Sequence, residues 1–253
     1  MIPSPIFKVL SVFKKQKVKS LLIGGQACIA YGGAEFSRDS DFVVLASPGN
    51  LARLRKSLAL LKAEPVYFPP LTAENLAKGH ASHFRCGAKG LEELRVDVMA
   101  RLRGCEPFPR LWSRRHQIVI KGMGAINLIS LEDLVSSKKT QRDKDWLMLT
   151  RLVENDIYVH KARGGASKAR WWLAQSRVPE TLIGLCEAYP AQARAVKTKR
   201  PLLSAAMKKD TGRLKTLLKK EEKLERDADI KYWTPLKKEL EAMRLSRSKG
   251  KGI

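Results

Sequence analysis

The sequence is short of acidic residues. It holds 25 Asp and Glu against 49 Lys and Arg, a net charge of +24 over 253 residues. Such an excess disfavours small cationic substrates and points to an anionic partner, with nucleic acid ahead of an acidic membrane surface. No apolar run reaches the length needed to cross a bilayer, and no basic segment precedes an apolar stretch near residue 1, so the expected compartment is the cytoplasm. Only four cysteines are present, at 28, 86, 105 and 186, without a CxxC pair. Their spacing supports neither a disulfide framework nor a zinc site, and Cys28 sits among apolar neighbours as a small buried hydrophobe. No internal repeat is evident. A hydrophobic fraction of 44% in a chain of this length can bury one large core or two smaller ones.

The chemistry concentrates in residues 21–45, LLIGGQACIAYGGAEFSRDSDFVVL. An apolar run, Leu21-Leu22-Ile23, ends at Gly24-Gly25, and helix-compatible residues follow from Gln26 to Tyr31. A polar turn then leads to Asp39-Ser40-Asp41 at the mouth of a second apolar run, Phe42 to Leu45. The pattern predicts strand, glycine turn, helix, turn, strand. Side chains two apart on a strand share a face, so Asp39 and Asp41 project together. Carboxylates held side by side repel and stay ionised only beside cations or strong donors, and Mg²⁺ near nucleotide phosphates is the common solution. Gly24-Gly25 removes side chains where backbone N–H groups at a helix start could meet an anion. Asp97 is the one acid inside an alternating apolar run, Leu94 to Met99.

Gly24-Gly25 followed by Ser37-x-Asp39-x-Asp41 resembles the nucleotidyltransferase superfamily that shares the polymerase-beta fold, over roughly residues 20–150. The AbiEii/MenT-like bacterial toxins are the subgroup most similar in appearance. The resemblance implies an α/β (α+β) mixed sheet flanked by helices, followed by a mostly helical C-terminal region. It implies that Asp39 and Asp41 ligate two Mg²⁺ ions (Mn²⁺ as a substitute), and that Asp97 is the third metal-holding and catalytic carboxylate. Gly24, Gly25, Ser37 and Arg38 would then line the nucleotide. Such enzymes also place a lysine and an arginine on a later helix, facing the triphosphate. By that resemblance Lys139 and Arg142 contact phosphate, with Lys138 close behind and Asp145 orienting them. A solvated charged face is the alternative for this cluster.

Elsewhere the pattern predicts a short helix within residues 1–20 and a helix through Leu51, Leu54, Leu58 and Leu61, with Asn50 as its cap. An extended piece stopped by prolines follows at 65–70, then strands at 82–86 and 94–99 and a hairpin over 118–129. Ser130 opens a helix expected to run on through Glu154. His80 and His83 are three apart without a partnering Cys or carboxylate in register, so contact with a base or simple packing is favoured over zinc binding. Lys161 to Gly165 reads as a linker, which sets a catalytic domain at 1–160 and a helical, lysine-rich region at 161–253. Adjacent Trp171 and Trp172 could stack on bases, or divide between core and rim. Thr234-Pro235 reads as a helix start, and residues 246–253 as a disordered basic tail.

The reading these features favour is an enzyme that moves an NMP from an NTP to an acceptor hydroxyl. RNA, in particular a tRNA end, is the expected acceptor. The resemblance adds a toxin role with a cognate antitoxin protein as partner. The alternatives are a nucleic-acid-binding module on the same scaffold, and protein nucleotidylation.

Overall fold

The computed structural model describes residues 4–34, 36–67, 69–92 and 94–249. The chain forms two compact units, one of residues 1–137 with 231–253 and one of residues 138–230. No helix among the described residues is long and apolar enough to cross a membrane.

The first unit is built on a mixed seven-stranded sheet. Its strands are β1 (Ser20–Ile23), β2 (Ser40–Val44), β3 (Ala63–Pro65), β4 (Ser82–Cys86), β5 (Arg95–Met99), β6 (His116–Ile120) and β7 (Gly124–Leu128), in spatial order β3-β4-β5-β2-β1-β7-β6. β2 runs parallel to β5 and β1 parallel to β7, while the other neighbours are antiparallel. Around the sheet lie α1 (Ser4–Lys15), α2 (Gly24–Ala30), α3 (Pro48–Leu60), α4 (Ala73–Lys78), α5 (Phe108–Ser113) and α6 (Leu131–Ser137).

Alternation along the strands decides which residues reach the core. Leu22, Phe42, Val44, Val96 and Val98 join Ile6, Val9 and Phe13 of α1 and the stripe Leu51, Leu54, Leu58 and Leu61 in one cluster. Each such buried side chain contributes about 1.5–3 kcal/mol relative to exposure. The intervening residues, Asp41, Arg95 and Asp97 among them, therefore face the other side of the sheet.

Several elements differ from the sequence expectation. Asn50 is no cap: α3 starts at Pro48, which is preorganised for a first turn. Asn50 is buried, accepts from the Lys19 N–H and donates to the Lys19 and Leu45 carbonyls, stitching β1 and β2 to the helix. The helix from Ser130 stops at Ser137, and α7 (Asp143–His160) starts afresh after an irregular stretch. β3 shares only Pro65 with the extended piece expected at 65–70, of which Phe68 lies outside the described residues. Of the expected disordered tail, residues to Lys249 are helical, and 250–253 lie outside the described residues.

The second unit is helical: α7, α8 (Ala166–Gln175), α9 (Pro179–Ala188), α10 (Pro190–Lys197), α11 (Leu203–Met207) and the first part of α12 (Thr211–Lys249). Gly164 and Gly165 lie in the turn between α7 and α8, with Gly164 pressed against the Trp172 ring. Pro235 lies inside the continuous α12 instead of opening a helix. Trp172 is fully buried and donates Nε1–H to Asp156, which removes it as a base-stacking platform. Trp171 is half-buried.

Candidate active site

Register brings the acids of the first unit together. Asp41 on β2 stands opposite Asp97 on β5, and His83 on β4 stands opposite Asp97 from the other side. Neighbouring strands lie about 4.8 Å apart, so the carboxylates of Asp41 and Asp97 rise side by side from one face of the sheet. Asp39 precedes Asp41 by two residues.

Asp97 is the most buried of the three, at 7% exposure. Its Oδ2 accepts from Arg95 Nη2 at 3.2 Å, a pairing set by the i, i+2 spacing on β5. Its Oδ1 lies 2.8 Å from His83 Nδ1 but out of hydrogen-bond alignment, so both buried atoms lack an aligned partner. Arg95 Nε likewise lacks one and stands 4.0 Å from Asp39 Oδ1. The Tyr67 ring completes the rim, 5.8 Å from the His83 ring centre and 5.8 Å from the Arg95 guanidinium carbon. Arg95 thus faces two of the three carboxylates, Asp97 and Asp39.

The orphaned Asp97 Oδ1 and the all-oxygen donor set suit a hard divalent cation such as Mg²⁺. Asp41 and Asp97 would hold it, with Asp39 as a further ligand. As the side chains stand, no three His, Cys, Asp or Glu among the described residues enclose an ion.

The glycines are required by close approach. Gly24 has φ +65°, and a Cβ there would lie 1.9 Å from Asp41 Oδ2. A Cβ on Gly25 would lie 2.3 Å from Ser37 Oγ. The α2 start therefore lies directly against both the Asp41 carboxylate and the Ser37 hydroxyl, and its first turn carries no side-chain cap. Gln26, one residue on, donates to the Ser37 carbonyl at 2.9 Å, and the Ser37 hydroxyl donates to the Asp39 carbonyl at 3.3 Å. These bonds tie the loop bearing Asp39 to α2. Arg38 is exposed and lies 5.9 Å over the Phe36 ring.

The remaining basic residues of interest belong to the second unit. Lys138 is buried and its ammonium is taken by Asp145 at 3.1 Å. Asp145 also accepts from the Thr140 hydroxyl and from Arg142 Nε at 2.7 Å, so it holds Lys138 and Arg142 but not Lys139. Burial alone would raise the Asp145 pKa, but Lys138, Thr140 and Arg142 together bring it below the ordinary carboxylate value. Lys139 is 3.6 Å from Glu225, and the Arg142 side chain is more than half exposed. Residues 138–142 are non-helical, so Lys138, Lys139 and Arg142 do not lie on a helix as expected.

His80 and His83 part company. The buried His80 meets Glu239 of α12 at 2.7 Å through Nε2, whereas His83 faces Asp97. Sequence reasoning missed His83, Arg95 and Gln26 as parts of the site. Arg95 was accessible from its i, i+2 relation to Asp97. His83 needed the β4–β5 register, and Gln26 needed the position of the 36–39 loop.

No protein-family model matches the chain, and no curated protein matches it. Among solved structures, the lincomycin-bound lincosamide antibiotic adenylyltransferase LnuA aligns at 16% identity and a TM-score of 0.43, covering 60% of this chain and 96% of that one. A candidate nucleotidyltransferase from H. pylori aligns at 16% identity and a TM-score of 0.42, covering 87% of this chain and 94% of that one. Likeness at this level carries no argument about reaction or substrate.

Proposed function

We propose that the protein is a divalent-metal-dependent nucleotidyltransferase that transfers an NMP from an NTP to an acceptor hydroxyl, with RNA, in particular a tRNA end, as the acceptor. The observation that carries the reading is the in-register pair Asp41 and Asp97, with Asp97 Oδ1 lacking an aligned partner and Asp41 pressed against the Gly24 turn. In the reaction the acceptor oxygen forms a bond to the α-phosphorus, the bond from that phosphorus to its bridging oxygen breaks, and pyrophosphate leaves. Asp39, Asp41 and Asp97 would hold two Mg²⁺ ions, or Mn²⁺ in their place, which when bound would supply acidification of the acceptor hydroxyl and neutralisation of charge on the phosphates.

The chain's own groups position the reactants. Gly24 and Gly25 let the triphosphate approach backbone N–H groups at the start of α2. Ser37, held by its contacts, offers a hydroxyl beside that turn. Arg95 fixes the Asp97 carboxylate and keeps a positive charge beside it. Arg38 is a further nucleotide contact in the proposal. Lys139 and Arg142 are retained as phosphate contacts, and their alanine variants should raise the KM for NTP. Lys138 is committed to Asp145 and is not retained.

The choice of RNA rests on the net charge of +24. A toxin role, with a cognate antitoxin protein as partner, belongs to the same proposal and corresponds to growth arrest on expression. Each α-³²P-labelled NTP is incubated with Mg²⁺ and total tRNA, for the wild type and for an Asp39→Ala, Asp41→Ala variant. Label on RNA that the variant abolishes supports the proposal. Label on the protein itself moves the acceptor to a polypeptide hydroxyl. Salt-dependent RNA binding without label under any NTP overturns the catalytic reading in favour of a binding module.

A further inference from the structure

A cavity in the first unit, of about 430 Å³, opens behind the 36–39 loop, on the side of Gln26. Its floor is apolar, formed by Ile6 of α1 with Leu91 and Leu94 before β5, and Phe36 and Arg38 stand at one wall. Gln26 lines it and is 98% buried, with 2% of its surface exposed. The Gln26 amide is fixed in direction because its Nε2 donates to the Ser37 carbonyl at 2.9 Å. That leaves Oε1 as an acceptor with no partner. A buried amide oxygen left unmet is destabilising, so the position favours a ligand that brings an N–H. At the wall, the Phe36 ring is 64% exposed with the Arg38 guanidinium 5.9 Å from its centre, an arrangement suited to stacking a planar ring. Glu92 at the mouth adds a second acceptor.

We propose that this cavity binds a nucleobase carrying an exocyclic amino group, the amine donating to Gln26 Oε1 while the ring stacks on Phe36. The base has two possible sources, the NTP or an unpaired residue of the acceptor RNA. The choice of nucleobase as ligand class rests on the nucleotidyltransferase reading, but the test is one of binding and requires no turnover. The cavity shares the 36–39 loop with the carboxylate cluster, so occupancy there would report directly on the backbone that carries Asp39.

The test measures binding of the full-length protein to 5′-fluorescein RNA octamers by anisotropy. The octamers are identical except for a 3′-terminal adenosine, cytidine, uridine or purine riboside, the last lacking the amine. A parallel arm displaces a fluorescent ATP analogue with free ATP, CTP, UTP or purine riboside triphosphate. The expected result in one arm is about tenfold tighter binding of the amine-bearing base than of its amine-free counterpart. The arm that discriminates identifies the source. Gln26→Leu should reduce that preference to within twofold, and Phe36→Ala should weaken all bases by about tenfold without restoring equality. Phe36 is exposed, so its variant should fold even if Gln26→Leu does not. Equal affinity for amine-bearing and amine-free ligands in both arms of the wild type overturns the proposal. It would do so whether or not label transfer succeeds, so the two readings fail separately.

Discussion

Gly24→Ala is the sharpest local test of the site, because its damage follows from a distance. An added Cβ would lie 1.9 Å from Asp41 Oδ2 and 2.6 Å from its Cγ. Contacts below 3.0 Å are essentially never seen for real Cβ atoms, so the carboxylate must retreat by about 1 Å. A displacement of that size at a reacting centre costs on the order of 10²-fold in rate. The positive φ of +65° adds about 1–2 kcal/mol of backbone strain in a non-glycine residue. The expected outcome is therefore a modest loss of stability, a few degrees in Tm, with at least a hundredfold loss of nucleotidyl transfer. Gly49→Ala is the matched control. It lies in α3 with nothing within 4 Å of its Cβ and should leave activity intact. Initial rates by labelling, with thermal melts of both variants, decide the matter. A Gly24→Ala protein that keeps more than a third of wild-type activity would refute the claim that Asp41 works where the structure holds it.

Three further predictions concern the rest of the molecule. Trp172→Phe removes the Nε1–H bond to the buried Asp156 and should cost about 1–3 kcal/mol, read as a lower Tm by calorimetry. Asp145 and Glu221 both have pKa values below their ordinary ones. Burial opposes the shift, while Lys138 for the first and Arg200 for the second drive it. A carboxylate depressed on folding contributes stability above its unfolded pKa and loses it as pH falls through the folded value. Melts by circular dichroism should therefore be flat from pH 7 to about pH 5 and fall below about pH 4, and Asp145→Asn should flatten that fall. Burial pushes the Cys86 and Cys186 thiols up to about 11 and Cys105 to about 12, so the native protein should react slowly with an alkylating reagent at pH 8 and fast once unfolded.

What the sequence made legible was what local spacing controls. The alternation in 40–45 and 94–99 placed Asp41 and Asp97 on strands, and the leucine stripe at 51–61 marked the helix that covers the sheet. These signals are short-range, since one strand face or one helix face is written every second or every third to fourth residue. The pairing of His83 with Asp97 was not legible, because register between β4 and β5 is a non-local choice. Lys138 read as a candidate phosphate contact on a charged helix, and only the break between α6 and α7 shows why it turns inward to Asp145. Asn50 has a common capping residue's identity but spends its amide on two strand termini. Thr234-Pro235 carried a helix-start signal, yet α12 continues through it.

The measurement that bears most directly on the central claim is the stoichiometry of products. With Mg²⁺, the preferred NTP and tRNA, pyrophosphate release and label incorporated into RNA are followed in the same reaction, for the wild type and for Asp97→Asn. The account predicts one pyrophosphate per label transferred, and loss of both together in the variant. Label transfer without pyrophosphate, or a variant that retains both, would contradict it.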